Sequence, residues 1–245
     1  MTEKTLGIVL RRIRYNDTGV IADIFTHSRG TVSFAVKAAK SGKGRTRMQL
    51  LSPLNIMEVS FRWRQEKALQ HIDEMQSAMP FSTLQTDPIK TSQALFIQEF
   101  LYHALKNEVR NEPLFRYLRE SLLWLDKQAE GCANFHIAFI VQLTKHLGIE
   151  PYVTDWKAGR IFDLKEGIMT DEVPAHRFWI QAEEAAFIPK ITRMTLRNMR
   201  FFRLNRTQRN AILDGFITYY RLHVPEFPEL KSLEILREVF KPAIP

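Results

Sequence analysis

Cysteine is nearly absent: Cys132 is the only one in 245 residues. A single thiol forms no internal disulfide, which excludes a small disulfide-stapled scaffold and fits a reducing compartment. It also removes every zinc site that needs two or more cysteine ligands. The seven histidines, at 27, 71, 103, 136, 146, 176 and 223, form no HxxxH or HExxH pair. Long apolar runs are missing too. "FHIAFIVQL" is far short of a membrane span. The opening "MTEKTLGIVLRRIRYND" is broken by arginines and lacks the apolar centre of a signal peptide. A cytoplasmic protein without membrane contact is the expectation.

Catalytic signatures are equally scarce. The carboxylate pairs Asp171–Glu172 and Glu183–Glu184 are sequence neighbours, so a regular element would not converge them as acid and base. No GxSxG is present. "SGKGRT" lacks the upstream glycine of a phosphate-cradling P-loop. Cys132 opens an apolar segment and reads as packing. His136 and Asp155 would be metal ligands only if tertiary folding assembled them. No enzyme activity, metal or cofactor is expected.

What is present is positive charge. Lysine and arginine exceed aspartate and glutamate by 35 − 27 = +8. Residues 1–79 hold 13 cations against 7 acids, so +6 of that excess lies in the first third. The stretch "KAAKSGKGRTRMQLLSPL" carries Lys37, Lys40, Lys43, Arg45 and Arg47 without an acid. Such a surface suits phosphates, because each cation contact releases condensed counterions. Arg11, Arg12, Arg14, Tyr15, Arg62 and Arg64 could add charge and stacking around it. Trp63 reads either as a stacking residue or as core, since it continues the apolar face of Met57, Val59 and Phe61. A solvated loop made basic for solubility is the bland alternative.

The pattern of apolar residues changes near residue 80. "TVSFAV" and "NIMEVSFRWR" alternate with a period of two, as half-buried strands do. With "LGIVLRRIRY", "GVIADIFTH" and "ALQHIDEMQ" they make five candidate antiparallel strands, enough for a small closed barrel. After Asp87-Pro88, a cap followed by a first-turn proline, apolar residues recur every three or four positions. Helices are expected from 88, from Pro113, over 132–147 and over "NRTQRNAILDGFITYYRLHV", with a short last one in "LKSLEILREVF". Residues 151–182 break the pattern and read as an irregular insertion with one or two short strands. The expected architecture is α+β: a β domain over 1–79, then a helical bundle over 80–245 interrupted once.

A second cationic series lies in "KITRMTLRNMRFFRLNRTQRN". Lys190, Arg193, Arg197, Arg200, Arg203, Arg206 and Arg209 recur every three or four residues, with no acid between 190 and 209. If helical, Arg193, Arg197 and Arg200 would stack on one face and repel, a cost that DNA or an acidic protein partner would relieve. Asn205 as a helix cap would instead split the series. Internal salt bridges on a solvated face are the bland reading.

The ordered combination of "GIVLRRIRYNDTGVIADIFTHSRGTVSF", "KSGKGRTRMQLLSPLNIMEVSFR", "LTKHLGIEP" and "YYRLHVPEFPELKSLEILREVF" resembles the RecO family of bacterial DNA-repair and recombination-mediator proteins. The resemblance covers essentially the whole chain. It implies an N-terminal five-stranded OB-fold barrel followed by a helical domain, with the loop at Lys37–Arg47 as the DNA face. It further implies binding of single- and double-stranded DNA and annealing of complementary strands. With RecR, such proteins load RecA onto DNA coated by the single-stranded-DNA-binding protein, whose acidic C-terminal tail the helical domain would receive. A cytoplasmic, nucleoid-associated place follows. A scaffold that docks acidic tails, with incidental DNA contact, is the alternative. Some members carry a four-cysteine zinc site in the insertion; residues 151–182 contain no cysteine, so packing by residues such as Trp156, Ile161, Phe162 and Phe178 must hold it.

Overall fold

The computed structural model describes residues 2–16, 19–37, 48–84 and 86–239. They form two compact units, one running to Lys127 and including Leu230–Val239, the other Gln128–Glu229. The first unit is built on five strands: β1 (Thr2–Asn16), β2 (Gly19–Thr26), β3 (Gly30–Lys37), β4 (Ile56–Arg62) and β5 (Leu69–Met79). They close in the order β1-β2-β3-β5-β4. All pairs are antiparallel except β3 with β5, which run parallel through Ser33–Ala35. That closure and order are those of an OB-type barrel, in which no edge strand is left exposed.

The alternation seen in the sequence becomes the barrel interior. Val32, Phe34 and Val36 of β3 meet Met57, Val59 and Phe61 of β4 in one buried cluster. Phe34 and Phe61 pack edge to face at 5.1 Å, a favoured ring geometry. Each such side chain removed from water stabilises the fold by roughly 1.5–3 kcal/mol. Trp63 stands one step beyond β4 and leaves this core. It is 37% exposed, with the Arg29 guanidinium 4.2 Å above its ring.

Two pieces of the family-like pattern acquire physical reasons here. The Thr26 hydroxyl donates to the Gly30 carbonyl at 2.9 Å and accepts from Arg29 N, closing the β2–β3 turn. Leu51 and Leu54 are fully buried, and Leu54 adopts φ 64° so that its N–H reaches Val9 O at 2.7 Å.

Three helices complete the first unit: α1 (Pro88–Ala104), α2 (Glu112–Lys127) and, from the chain end, α7 (Ser232–Val239). Asp87 caps α1 by accepting from Lys90 N at 3.0 Å, with Pro88 in the first turn as expected. Glu99 of α1 accepts from the backbone N–H groups of Lys231 and Ser232, at 3.0 and 2.7 Å, and so fixes the start of α7.

The strongest polar anchor is Asp126, a buried carboxylate. It accepts from three successive backbone N–H groups, Ser82, Thr83 and Leu84, at 2.8–3.0 Å, and from the Ser82 hydroxyl. Burial pushes its carboxyl up, but these hydrogen bonds outweigh burial and leave it at about 2. Because the folded value lies below the unfolded one, this contribution is complete above about pH 4 and fades as pH falls toward 2. Asp126→Ala, which orphans three donors, should cost on the order of 3 kcal/mol in urea unfolding at pH 7. Wild type should lose part of that margin between pH 4 and 2 while Asp126→Ala does not. Parallel acid profiles would refute this role.

The second unit centres on α3 (Phe135–His146) and α6 (Arg206–His223). Tyr220 of α6, fully buried, donates to Ile140 O at 2.7 Å. Gly148 ends α3 at φ 70°, letting Ile149 N reach back to Thr144 O at 3.0 Å. The interruption holds three short strands rather than one or two: β6 (Ile161–Asp163), β7 (Ile168–Thr170) and β8 (Trp179–Ile180), with β6 central. Then come α4 (Ala182–Ala185), α5 (Ile188–Ile191) and a 3-10 turn at Met199–Phe201.

A four-cysteine zinc site does not fit this insertion. Residues 151–182 contain no cysteine, and among the described residues no group of three or more His, Cys, Asp or Glu side chains could hold a metal. Packing and hydrogen bonds hold it instead. Phe162, Leu164 and Met169 bury against Ala185, Ile188 and Tyr219, with Phe178 alongside. Tyr219 donates to Ile149 O at 2.9 Å, and Arg160 grips Asp171 at 2.7 Å. Trp156, at 40% exposed, stays outside this cluster.

Candidate nucleic-acid interface

Strand register decides which cations stand near one another. Arg12 pairs with Ala22, Arg14 with Val20, and Lys37 with Gly19. Arg12, Arg14 and Lys37 therefore gather at one end of the β1-β2-β3 sheet, and all three are exposed. Tyr15 is beside them at 65% exposed. Residues two apart on a strand share a face, so Arg12 and Arg14 lie on the same one, and the register shifts at Tyr15. The cationic segment leaves this end at Lys37 and returns at Met48, whose carbonyl accepts from Arg12 at 2.6 Å. Lys40, Lys43, Arg45 and Arg47 lie outside the described residues.

The other sequence candidates in the barrel do not join this cluster. Arg11 is half-buried, stacked 4.5 Å from the Tyr102 ring of α1 and hydrogen-bonded to its hydroxyl. Arg62 pairs across from Thr2 at the start of β1, twelve positions from Arg14 along that strand. It sits 3.5 Å from Asp73. Arg64 is exposed in the following turn, where its backbone bonds to Gln70. Alternation places these residues on strand surfaces, yet only register reveals that Arg62 meets the start of β1 while Arg12 and Arg14 lie towards its far end.

The arginine series of the second unit is not one helix, so Arg193, Arg197 and Arg200 do not stack on one helical face, and Asn205 splits the series as the cap reading has it. Lys190 ends α5, Arg200 lies in the 3-10 turn, and Arg206 begins α6. Asn205 caps α6 in a reciprocal box with Gln208. The carbonyls between these pieces are taken by two amides of α3 or its N-terminal flank. Gln142 donates to Thr192 O and Met194 O at 3.0 and 2.7 Å. Asn134 donates to Met199 O and Phe202 O at 3.1 and 2.7 Å. Ile191, Met194 and Met199 are buried beneath, while Lys190, Arg193, Arg197, Arg200 and Arg203 are exposed. Arg206 is partly buried. Arg209 is partly buried too and donates to Leu204 O at 2.6 Å; burial and the neighbouring Arg206 lower its pKa. Burial, with Arg209 nearby, also holds His136 down at about 3.

Beside this strap lies a cavity of about 260 Å³, lined largely by apolar side chains that include Phe187, Ile188, Ile191, Ala211 and Ile212, with Glu184 and Gln208 also in its wall. The sequence reading missed it. Its only trace there was apolar residues interleaved with the cations at 188, 191 and 204.

A closed OB-type barrel with cations at one end, followed by a helical region, defines the class of protein. Two family models match: "Recombination protein O N terminal" over residues 1–81 and "Recombination protein O C terminal" over 85–234. The "DNA repair protein RecO" of Phocaeicola vulgatus is 40% identical over 98% of this chain and 100% of its own length. That of Bacteroides fragilis is 41% identical over 98% of this chain and 100% of its own. That of Flavobacterium johnsoniae is 31% identical at the same two coverages, 98% and 100%. The chain belongs to the RecO family of DNA repair proteins. None of its described helices is long and apolar enough to cross a membrane.

Proposed function

We propose that this chain binds single- and double-stranded DNA, anneals complementary strands, and with RecR helps RecA load onto DNA coated by the single-stranded-DNA-binding protein. The DNA-holding part is the 1–79 barrel, and the remainder, 80–245, serves protein partners. The observation that carries the reading is the cluster of Arg12, Arg14 and Lys37 at one barrel end, where a segment with four further cations departs. Cations there neutralise phosphates on two strands, lowering the repulsion that keeps complementary strands apart. No bond is made or broken, so the work is electrostatic.

The groove between α5 and α6 supports the second part of the reading. Apolar walls with exposed arginines close in sequence suit a peptide that is acidic along its length and apolar at its end. The acidic tail of the single-stranded-DNA-binding protein has that chemistry.

Annealing of complementary oligonucleotides tests both parts. Strands are offered naked or coated with the single-stranded-DNA-binding protein, with or without its tail, over a salt series with chelator. Naked strands should anneal faster as salt falls, with no cleavage. Coated strands should anneal only when the tail is present, and Ala211→Trp, which fills the groove, should abolish that step alone. Absence of acceleration on naked strands, or appearance of cleaved product, would overturn the reading. A tail-independent reaction would remove the groove from it.

A further inference from the structure

Phe201 is 70% exposed, an unusual state for a phenylalanine, and it follows Arg200 and stands two residues before Arg203. It sits in the 3-10 turn Met199–Phe201, whose carbonyls at 199 and its neighbour 202 are drawn inward by the Asn134 amide. Met199 is buried as the anchor of that turn. The turn therefore fixes the backbone while pushing Phe201 outward. The Arg200 guanidinium lies 4.8 Å from its ring centre. Arg193, Arg197, Arg200 and Arg203 are exposed, and none makes an ion pair among the described residues.

We propose that this strap is a second single-stranded nucleic-acid site, with Phe201 as the residue on which a base stacks and the exposed arginines holding the flanking phosphates. It rests on the reading that the protein handles DNA strands, and adds a site in the second unit. Charge alone would serve an acidic peptide equally. The ring decides between them: Phe201 is outside the walls of the apolar cavity, so it offers a peptide end no enclosure. An aromatic face among cations is what unpaired bases use, and stacking is tolerant of sequence. Two strand sites in one chain would let a bound strand meet its complement without a second protein molecule.

The test compares full-length wild type, Phe201→Ala, Phe201→Tyr and a barrel variant, Arg12→Glu with Arg14→Glu and Lys37→Glu. Each is titrated with a fluorescent oligothymidylate, an abasic strand of equal length, and an acidic peptide. Phe201→Ala should weaken oligothymidylate binding about tenfold, the usual scale of one lost stack. It should leave the abasic strand unchanged, and Phe201→Tyr should restore binding. In the barrel variant the residual oligothymidylate binding should still depend on Phe201. If Phe201→Ala binds oligothymidylate as wild type does, or loses only the acidic peptide, the proposal is wrong. In either case loss of strand binding in the barrel variant would keep the broader function intact. Phe201 dependence with an unaffected barrel variant would instead sink the barrel site and leave this one.

Discussion

The combined substitution Lys37→Glu, Lys40→Glu, Lys43→Glu, Arg45→Glu and Arg47→Glu will weaken binding of single-stranded DNA by on the order of a hundredfold or more at low salt. It will also flatten the salt dependence. Each phosphate neutralised on a single strand contributes about 0.7 to the slope of log affinity against log salt, so loss of five contacts lowers that slope by about 3.5. Arg12 and Arg14 remain at the same barrel end, so binding should persist weakly rather than vanish. Arg62→Glu with Arg64→Glu serves as the control. Arg62 already faces Asp73, and both residues belong to β4 and the turn after it rather than to β1 or β3, so the slope should move by less than 1. Fluorescence anisotropy over a salt series reads both quantities, and a thermal melt verifies that the barrel is intact. A folded five-site variant with wild-type slope would place the DNA face elsewhere.

Gly30→Ala should cost about 3 kcal/mol or more in chemical unfolding, a large share of the stability of an ordinary domain. Gly30 sits at φ 80°, and a Cβ there would lie 2.2 Å from Glu108 O and 2.4 Å from Val109 C. Those are backbone atoms with no rotamer to escape by. The collision would pull the loop after α1 from the β2–β3 turn. Thr31 would then lose its bonds to Glu108 O and Leu105 O, at 2.9 and 2.6 Å. Gly148→Ala is the comparison that isolates the cause. Gly148 has φ 70° but nothing within 4 Å of an added Cβ, so it should cost only about 1–2 kcal/mol, the backbone term alone. Equal losses in the two variants would show that conformation, not close approach, makes Gly30 necessary.

Much of the barrel was legible because one rule governs it. A strand with one wet and one dry face must alternate, and β3 does so throughout and β4 from Met57 onward. The rule fails at Trp63, where the strand has ended and the ring leaves the core for Arg29. Helix caps were legible for a similar reason: Asp87, Asn205 and Gly148 satisfy local backbone groups with local atoms. The stretch 193–204 deceived because three- and four-residue spacing is also what a helix produces. Here it comes from a strap whose buried and exposed residues trade places turn by turn. Its carbonyls are claimed by Asn134 and Gln142, some 50 to 68 residues away, and no local pattern announces a partner at that distance.

By itself, then, the sequence determined the five strands, the ends of the main helices, the position of the positive charge along the chain and the lack of cysteines for a four-cysteine zinc site. Those properties depend on composition and on neighbours within a turn or two. Only tertiary structure decided that Arg12 and Arg14 stand across β2 from the end of β3 while Arg62 meets Thr2 and Asp73, and that Phe201 is lifted among the arginines. Register and long-range hydrogen bonds set those distances, and both arise only when segments far apart in the chain close on one another.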